Sequence, residues 1–275
     1  MLLRYTMIAS GSKGNCFVIE DRDTVLLIDC GSTRKHIAQS FEKIALDKER
    51  INAVLITHDH SDHVSQIRHF RGKEIWSPVP LPDIPARQVI PHRPFMIGCL
   101  KITALALSHD APNTVGYVIE DGEEKLVYIT DTGYVNNAYL KFISDADYIV
   151  MESNHDIEML MATRRPQYLK ARIYSDQGHL CNEDCAALLS RIVTERTKMI
   201  ILAHISQEAN TREKALEATC RVLLSEKKGQ LNRDLVVCAA GQYEMIRKGS
   251  TNEEMELGTV YRSVGLESYS QLRLF

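Results

Sequence analysis

Three histidines and two aspartates fall inside Thr57-His58-Asp59-His60-Ser61-Asp62-His63. Imidazole nitrogens and carboxylate oxygens bind borderline divalent ions, Zn²⁺ foremost, with Mn²⁺ and Fe²⁺ also suited. The HxHxDH spacing offers His58 and His60 to one ion. Asp62 and His63 can turn toward a second ion a short distance away. A lone histidine at a strand end is commonly a surface residue, and Ser61 or Asp62 could cap a helix starting near His63. Three histidines in a span of six positions, in a chain holding ten, point instead to a pair of metal ions and hydrolytic chemistry.

The loop follows Ile51-Asn52-Ala53-Val54-Leu55-Ile56, an apolar, β-prone run. A buried strand that ends in metal donors is a pattern to search for elsewhere. Ser108-His109-Asp110 follows the run 102–107, Thr130-Asp131-Thr132-Gly133 follows 126–129, and Ala203-His204-Ile205 follows 199–202. His109, Asp131 and His204 are therefore the next candidate ligands, and a carboxylate such as Asp131 suits a bridge between two ions. Taken alone, Asp131 reads as a turn residue and His204 as a core histidine. Asp29, at the end of 24–28 and just before Gly31, is expected to accept a hydrogen bond from a ligand imidazole.

The elements that must carry these groups are short strands and helices. Strands are expected over 3–9, 101–107, 114–120, 125–130, 148–151, 199–202 and 235–238, with a hairpin over 16–20 and 24–29. Helices are expected over 33–43, 135–143, 166–173, 182–194 and 211–225. Six of the eight prolines lie between Pro78 and Pro94, which marks an irregular or edge segment. The pattern implies a layered α/β body with two mixed sheets face to face and helices outside. No linker interrupts residues 1–247, read as one domain; residues 248–275 turn polar and read as a tail with one short ordered segment.

Composition bounds the rest. At 275 residues with 44% hydrophobic and 25% charged positions, the chain has the make-up of a soluble globular protein. No apolar run approaches the roughly 18 residues of a membrane span, so no membrane partner is expected. The seven cysteines are odd in number, with no CxxC pair, and Cys16, Cys30, Cys99 and Cys238 read as reduced core thiols of a cytoplasmic protein. A net charge of −3 disfavours a protein that coats nucleic acid but not an enzyme that cuts it. The best basic patch is Arg164-Arg165 with Lys170 and Arg172.

The motifs THDHSDH, SHDA, TDTG and LAHIS, in that order after an LLIDCG strand end, resemble the metallo-β-lactamase-fold hydrolases over about residues 1–247. SGSKGNC (10–16), ESNHD (152–156) and GHLCNE (178–183) are similar to signatures of the YycJ/WalJ branch, where serine usually stands at Cys181. That resemblance implies an αββα four-layer sandwich of two mixed β-sheets with outer helices. It implies that His58, His60 and His109 hold one ion, that Asp62, His63 and His204 hold the other, and that Asp131 bridges. It also implies a DNA exonuclease acting 5′ to 3′.

The expected chemistry is a hydroxide held between two divalent ions, Zn or Mn with Fe a further fit, attacking phosphorus in line. Asp62 counts as catalytic besides being a ligand. His155 and His179 are candidates to protonate the leaving oxygen; both can equally be core histidines. Ser12, Asn15 and Asn154 are candidate phosphate donors, and Arg164 and Arg165 candidate contacts to DNA. A small-molecule or cyclic-nucleotide phosphodiesterase is the competing enzyme, favoured by the lack of a strongly basic stripe. A metal-binding sensor is the non-enzyme alternative. The stretch between Asp131 and His204 is about seventy residues, too short for a further inserted domain.

Overall fold

The computed structural model describes residues 3–227, 229–248 and 261–263. These form two compact units, one from residues 3–106, 111–124 and 241–248, the other from 107–110, 125–240 and 261–263.

In the first unit β1 (Arg4–Ala9), β2 (Cys16–Asp21) and β3 (Thr24–Ile28) form an antiparallel meander. Helix α1 (Arg34–Lys43) follows, capped by the Thr33 hydroxyl, which accepts from the His36 amide at 3.1 Å. Then come β4 (Ala53–Leu55), α2 (Ser61–Val64), β5 (Glu74–Ser77) and β6 (Arg87–Gln88). β3 to β6 pair in parallel, so the sheet is mixed. β7 (Phe95–Ile97), β8 (Leu100–Ala106) and β9 (Val115–Glu120) form an antiparallel ribbon. α1 turns Ile37 and Phe41 onto a core of Val18, Leu27, Val54 and Phe70.

The second unit runs β10 (Lys125–Ile129), α3 (Leu140–Ile143), β11 (Tyr148–Glu152), α4 (Ile157–Ala162), α5 (Gln167–Tyr174), α6 (Asn182–Ile192), β12 (Met199–Ala203), α7 (Arg212–Glu226) and β13 (Val236–Ala239). β14 (Ile246–Lys248) then pairs with β1 in the first unit, and β15 (Tyr261–Ser263) with β13 in the second, both antiparallel. β10 to β13 are parallel to one another. Their near-continuous apolar runs, YIVME and MIILA, are buried throughout, as parallel strands covered on both faces require.

Register positions the site. Ile129, Met151 and Leu202 are aligned partners across β10, β11 and β12. The residues that follow them therefore leave the sheet at one common edge, the carboxyl end of parallel strands, where α/β sheets place their ligands. In the first unit Ile28 pairs with Leu55, so Asp29 and the loop to His63 leave together.

The structure departs from expectation at particular segments. The helix expected over 135–143 begins only at Leu140; before it a single 3₁₀ turn is capped by Asn136, whose carboxamide oxygen accepts from the Ala138 amide. The short helix α4 was not expected; Asp156 caps it by accepting from the Met159 amide at 2.8 Å. Most of the tail expected over 248–275 lies outside the described residues. No described helix is long and apolar enough to cross a membrane.

Candidate metal centre

In the first unit the donors converge around Asp29. This residue is fully buried and adopts a left-handed backbone, φ 57°, a conformation uncommon outside glycine though more open to Asp than to most residues. Its Oδ2 lies 2.7 Å from His63 Nδ1 and accepts from the Thr57 hydroxyl at 2.8 Å, while its Oδ1 accepts from the Thr57 amide. A carboxylate can only accept, so His63 carries its proton on Nδ1 and presents Nε2. Thr57 Oγ1, having donated to Asp29, is left to accept from His58 Nδ1 at 3.1 Å. Burial pushes the Asp29 carboxyl above its ordinary value, against the pull of His63 and Thr57.

The rings themselves are close. His58 and His63 have centroids 4.0 Å apart, and His58 and His60 4.7 Å. His58 and His63 are fully buried, while Asp59 is exposed. α2 starts directly on His60, whose carbonyl accepts from the His63 amide. Gly31 makes the loop's position attainable: a Cβ there would sit 1.5 Å from the Asp62 carbonyl oxygen.

In the second unit the equivalent anchor is Glu152, fully buried at the end of β11. Its Oε1 accepts from His179 Nδ1 at 2.7 Å and His204 Nδ1 at 2.9 Å. Its Oε2 accepts from the amides of Thr132 and Leu180. Burial opposes its ionisation, but His179 and His204 outweigh that and hold the carboxyl down at about 2. Asp131 Oδ1 is 3.1 Å from His204 Nδ1. Asp131 and His204 both have left-handed backbones, φ 59° and 52°. The ligand atoms of Asp131, Glu152, His179 and His204 all lie within 4.8 Å of one another. His109 donates from Nδ1 to the Gly178 carbonyl at 3.1 Å, and burial lowers its pKa.

One rule runs through both units. His58, His63, His109, His179 and His204 each have Nδ1 bound to a protein oxygen. Fixing Nδ1 sets the tautomer and turns Nε2 to the ligand side, which is how metal-binding imidazoles are held. With Asp62 in the first unit and Asp131 in the second, the donors of each unit are of the types that fit borderline divalent ions. Asp29 fills the place expected of it. Glu152 is the functional residue absent from the sequence expectations: it closes an apolar strand, but in the sequence it stands out only as the first residue of ESNHD.

The remaining candidates lie in varied surroundings. His179 has 21% of its side chain exposed. His155 is fully buried, neither ring nitrogen has a hydrogen-bond partner among the described residues, and burial pushes its pKa down to about 4. Ser12 is exposed at a loop tip. Asn15 is buried; its Oδ1 accepts from the Gly11 amide, and its Nδ2 donates to the Gly11 carbonyl and lies near Asp62. Asn154 donates to the His204 carbonyl at 2.8 Å. The expected basic patch is not an open run of charge. Arg165 pairs with Glu208, Arg172 with Asp110, and Lys170 is buried with its ammonium on the Met161 carbonyl, because α5 packs that lysine inward. Arg164 is exposed.

Residues 24–205 match the family model described as the beta-lactamase superfamily domain. The chain is 34% identical over 246 residues to a Bacillus anthracis protein named exodeoxyribonuclease YycJ, covering 83% of this chain and 91% of that one. It is 33% identical over 228 residues to exodeoxyribonuclease WalJ of Streptococcus pneumoniae strain D39, covering 77% and 85%. The crystal structure of the metallo-beta-lactamase fold protein YhfI from Bacillus subtilis matches with a TM-score of 0.66 at 17% identity, over 90% of this chain and 99% of that one. That likeness is one of fold, and it is the fold the motifs implied.

Proposed function

The chain belongs to the beta-lactamase superfamily, in its YycJ/WalJ-like branch, and from that premise we propose that it is a two-metal DNA exonuclease acting 5′ to 3′. The observation that carries the reading is Glu152 Oε1, which binds Nδ1 of both His179 and His204 beside Asp131. That arrangement orients one imidazole as a ligand and a second, solvent-reached imidazole as a proton carrier.

In this reading His58, His60 and His109 would hold one divalent ion and Asp62, His63 and His204 the other, with Asp131 as the carboxylate they would share. Zn²⁺ and Mn²⁺ suit this set, and Fe²⁺ is accommodated. Two such ions supply a water of lowered pKa and positive charge against the phosphoryl oxygens. The chain's residues do the rest. Asp29 and Glu152 keep the ligand rings oriented. Asp62, at the mouth of the first loop, orients the attacking water as well as ligating. His179 keeps Nδ1–H on Glu152, so Nε2 is the atom that passes a proton to the leaving oxygen. His155, sealed from solvent, is the weaker candidate for that step. The exposed Ser12 and Arg164 are the phosphate contacts, with Arg165 available if Glu208 yields, whereas Asn15 and Asn154, buried with their carboxamides on the Gly11 and His204 carbonyls, hold the loops that carry the ligands. None of the seven cysteines is in a disulfide, in keeping with a cytoplasmic enzyme.

The test is hydrolysis by the metal-loaded protein of end-labelled single-stranded and duplex DNA, compared with a generic phosphodiester and a cyclic nucleotide. Nucleotides released stepwise from the 5′ end support the reading. Hydrolysis of the small phosphodiesters alone would replace it with the phosphodiesterase reading, and metal binding without any hydrolysis with the sensor.

A further inference from the structure

Two large side chains beside the second unit's cluster have no role in the chemistry above. Tyr134 is 46% exposed and Tyr174 53% exposed. Tyr134 stands three residues beyond Asp131, and its carbonyl accepts from the Thr132 hydroxyl at 2.7 Å. The Thr132 amide in turn donates to Glu152. Tyr174 closes α5, and the carbonyl of its neighbour Ile173 accepts from the His179 amide at 2.9 Å. Both rings are thus tied, through short backbone links, to residues of the candidate centre.

The two loops that carry them touch. A Cβ on Gly133 would sit 2.2 Å from the Asp176 carbonyl oxygen, so the chain after β10 and the chain after α5 lie backbone against backbone. Gly133 is further fixed by its amide on the Ser108 carbonyl at 2.8 Å. Tyr174 is backed by the buried His155 ring, edge-on with centroids 6.2 Å apart, a favourable aromatic geometry. The rings are therefore exposed but held on restrained backbone, so binding through them costs little ordering.

We propose that Tyr134 and Tyr174 form an aromatic clamp on which unpaired bases at the end of a nucleic-acid strand stack, delivering the neighbouring phosphodiester to Asp131 and His179. The proposal rests on the nuclease reading and adds its substrate form. A single strand offers unstacked bases directly, whereas a duplex must fray first. Stacking on tyrosine is tolerant of sequence, because every base has a π-face, and that tolerance suits an exonuclease that must accept any terminal base. It also gives His155 a part, as the ring that backs Tyr174.

The test uses the metal-loaded wild-type protein and oligonucleotides that carry 2-aminopurine, or abasic sites, at the terminal two nucleotides. Rates are normalised to each preparation's rate on bis(p-nitrophenyl) phosphate, which has no base. The clamp predicts quenching of terminal 2-aminopurine on binding, and a KM about tenfold or more higher for the abasic end, the order of one lost base–aromatic stack. Tyr134→Ala and Tyr174→Ala should reproduce that rise on normal single strands and abolish the quenching. Tyr→Phe at either site should restore both, and Tyr168→Ala, an exposed tyrosine outside the clamp, should leave both unmoved. Equal KM for normal and abasic ends in the wild type would overturn the clamp even if the alanine variants fail to fold. Quenching without DNA cleavage would sink the nuclease reading and leave the clamp standing as a single-strand binding site; absence of both would overturn both.

Discussion

Glu152 has no spare bonding capacity. One oxygen serves two imidazoles and the other serves two backbone amides, so all four neighbours are donors. A carboxamide has one oxygen and one NH₂, and Glu152→Gln must set a donor against donors in either orientation. We expect metal affinity and activity to fall about 10- to 100-fold and stability by about 1–3 kcal/mol, read by elemental analysis and urea unfolding of the same preparation. Asp131→Ala should lose bound metal and hydrolysis together, whereas His179→Ala should keep its metal and lose rate. A metal-depleted His179→Ala protein would make His179 a ligand. At this scale the sequence was most legible where donors are contiguous: His58, His60, Asp62 and His63 announce themselves within six positions. His109, Asp131 and His204 were recoverable because each follows an apolar strand. The double anchoring by Glu152 was not, because it joins positions 132, 179, 180 and 204, which are far apart in sequence and meet only once β10 and β12 have paired on either side of β11.

At the scale of elements, close backbone approaches decide what the loops can do. Gly31→Ala would drive a methyl into the Asp62 carbonyl, with backbone on both sides, and should displace the 58–63 loop and lower metal occupancy; unchanged occupancy would show that the loop can retreat. α6 begins on Cys181, whose thiol sulfur accepts from the Asp184 amide at 3.4 Å. Thiols are weak acceptors, so Cys181→Ser should raise stability by roughly 0.5–1 kcal/mol, the usual size of a cap effect, seen as a higher Tm. The opposite end of the second unit's strands is tied by Asp147, which accepts from the Lys125 amide and pairs with Arg196 and Lys198. Burial opposes its charge, but those partners prevail and hold its pKa below the ordinary carboxylate value. Its contribution is therefore complete above about pH 4 and is lost as pH falls through the lowered folded value. The stability gap between wild type and Asp147→Asn should close on that acid side and stay open at neutral pH. Caps and apolar runs made α1, α7, β3 and β11 readable. The expected helix over 135–143 fell short because Asn136 bonds the backbone locally and starts a 3₁₀ turn in place of an α-helix. The six-residue α4 carries too little periodicity to be seen in advance.

At the scale of the whole molecule, each of the two compact units carries its own set of oriented donors, and each set stands where parallel strands end. The strand order that produces this could not be read from the sequence, since pairings such as β1 with β14 and β13 with β15 depend on long-range contacts. Ions that bind only the folded chain must stabilise it. Removing them with a chelator should lower Tm, and restoring them at a hundred times their Kd should return about 2.7 kcal/mol per site; a Tm indifferent to chelation would deny a folded-state metal centre. The most direct measurement is single-stranded DNA hydrolysis followed as the metal content of the wild-type protein is raised from none to two ions per chain. Activity should appear only as the second ion enters and should reach its plateau at two. Full activity at one ion per chain would contradict the two-metal account.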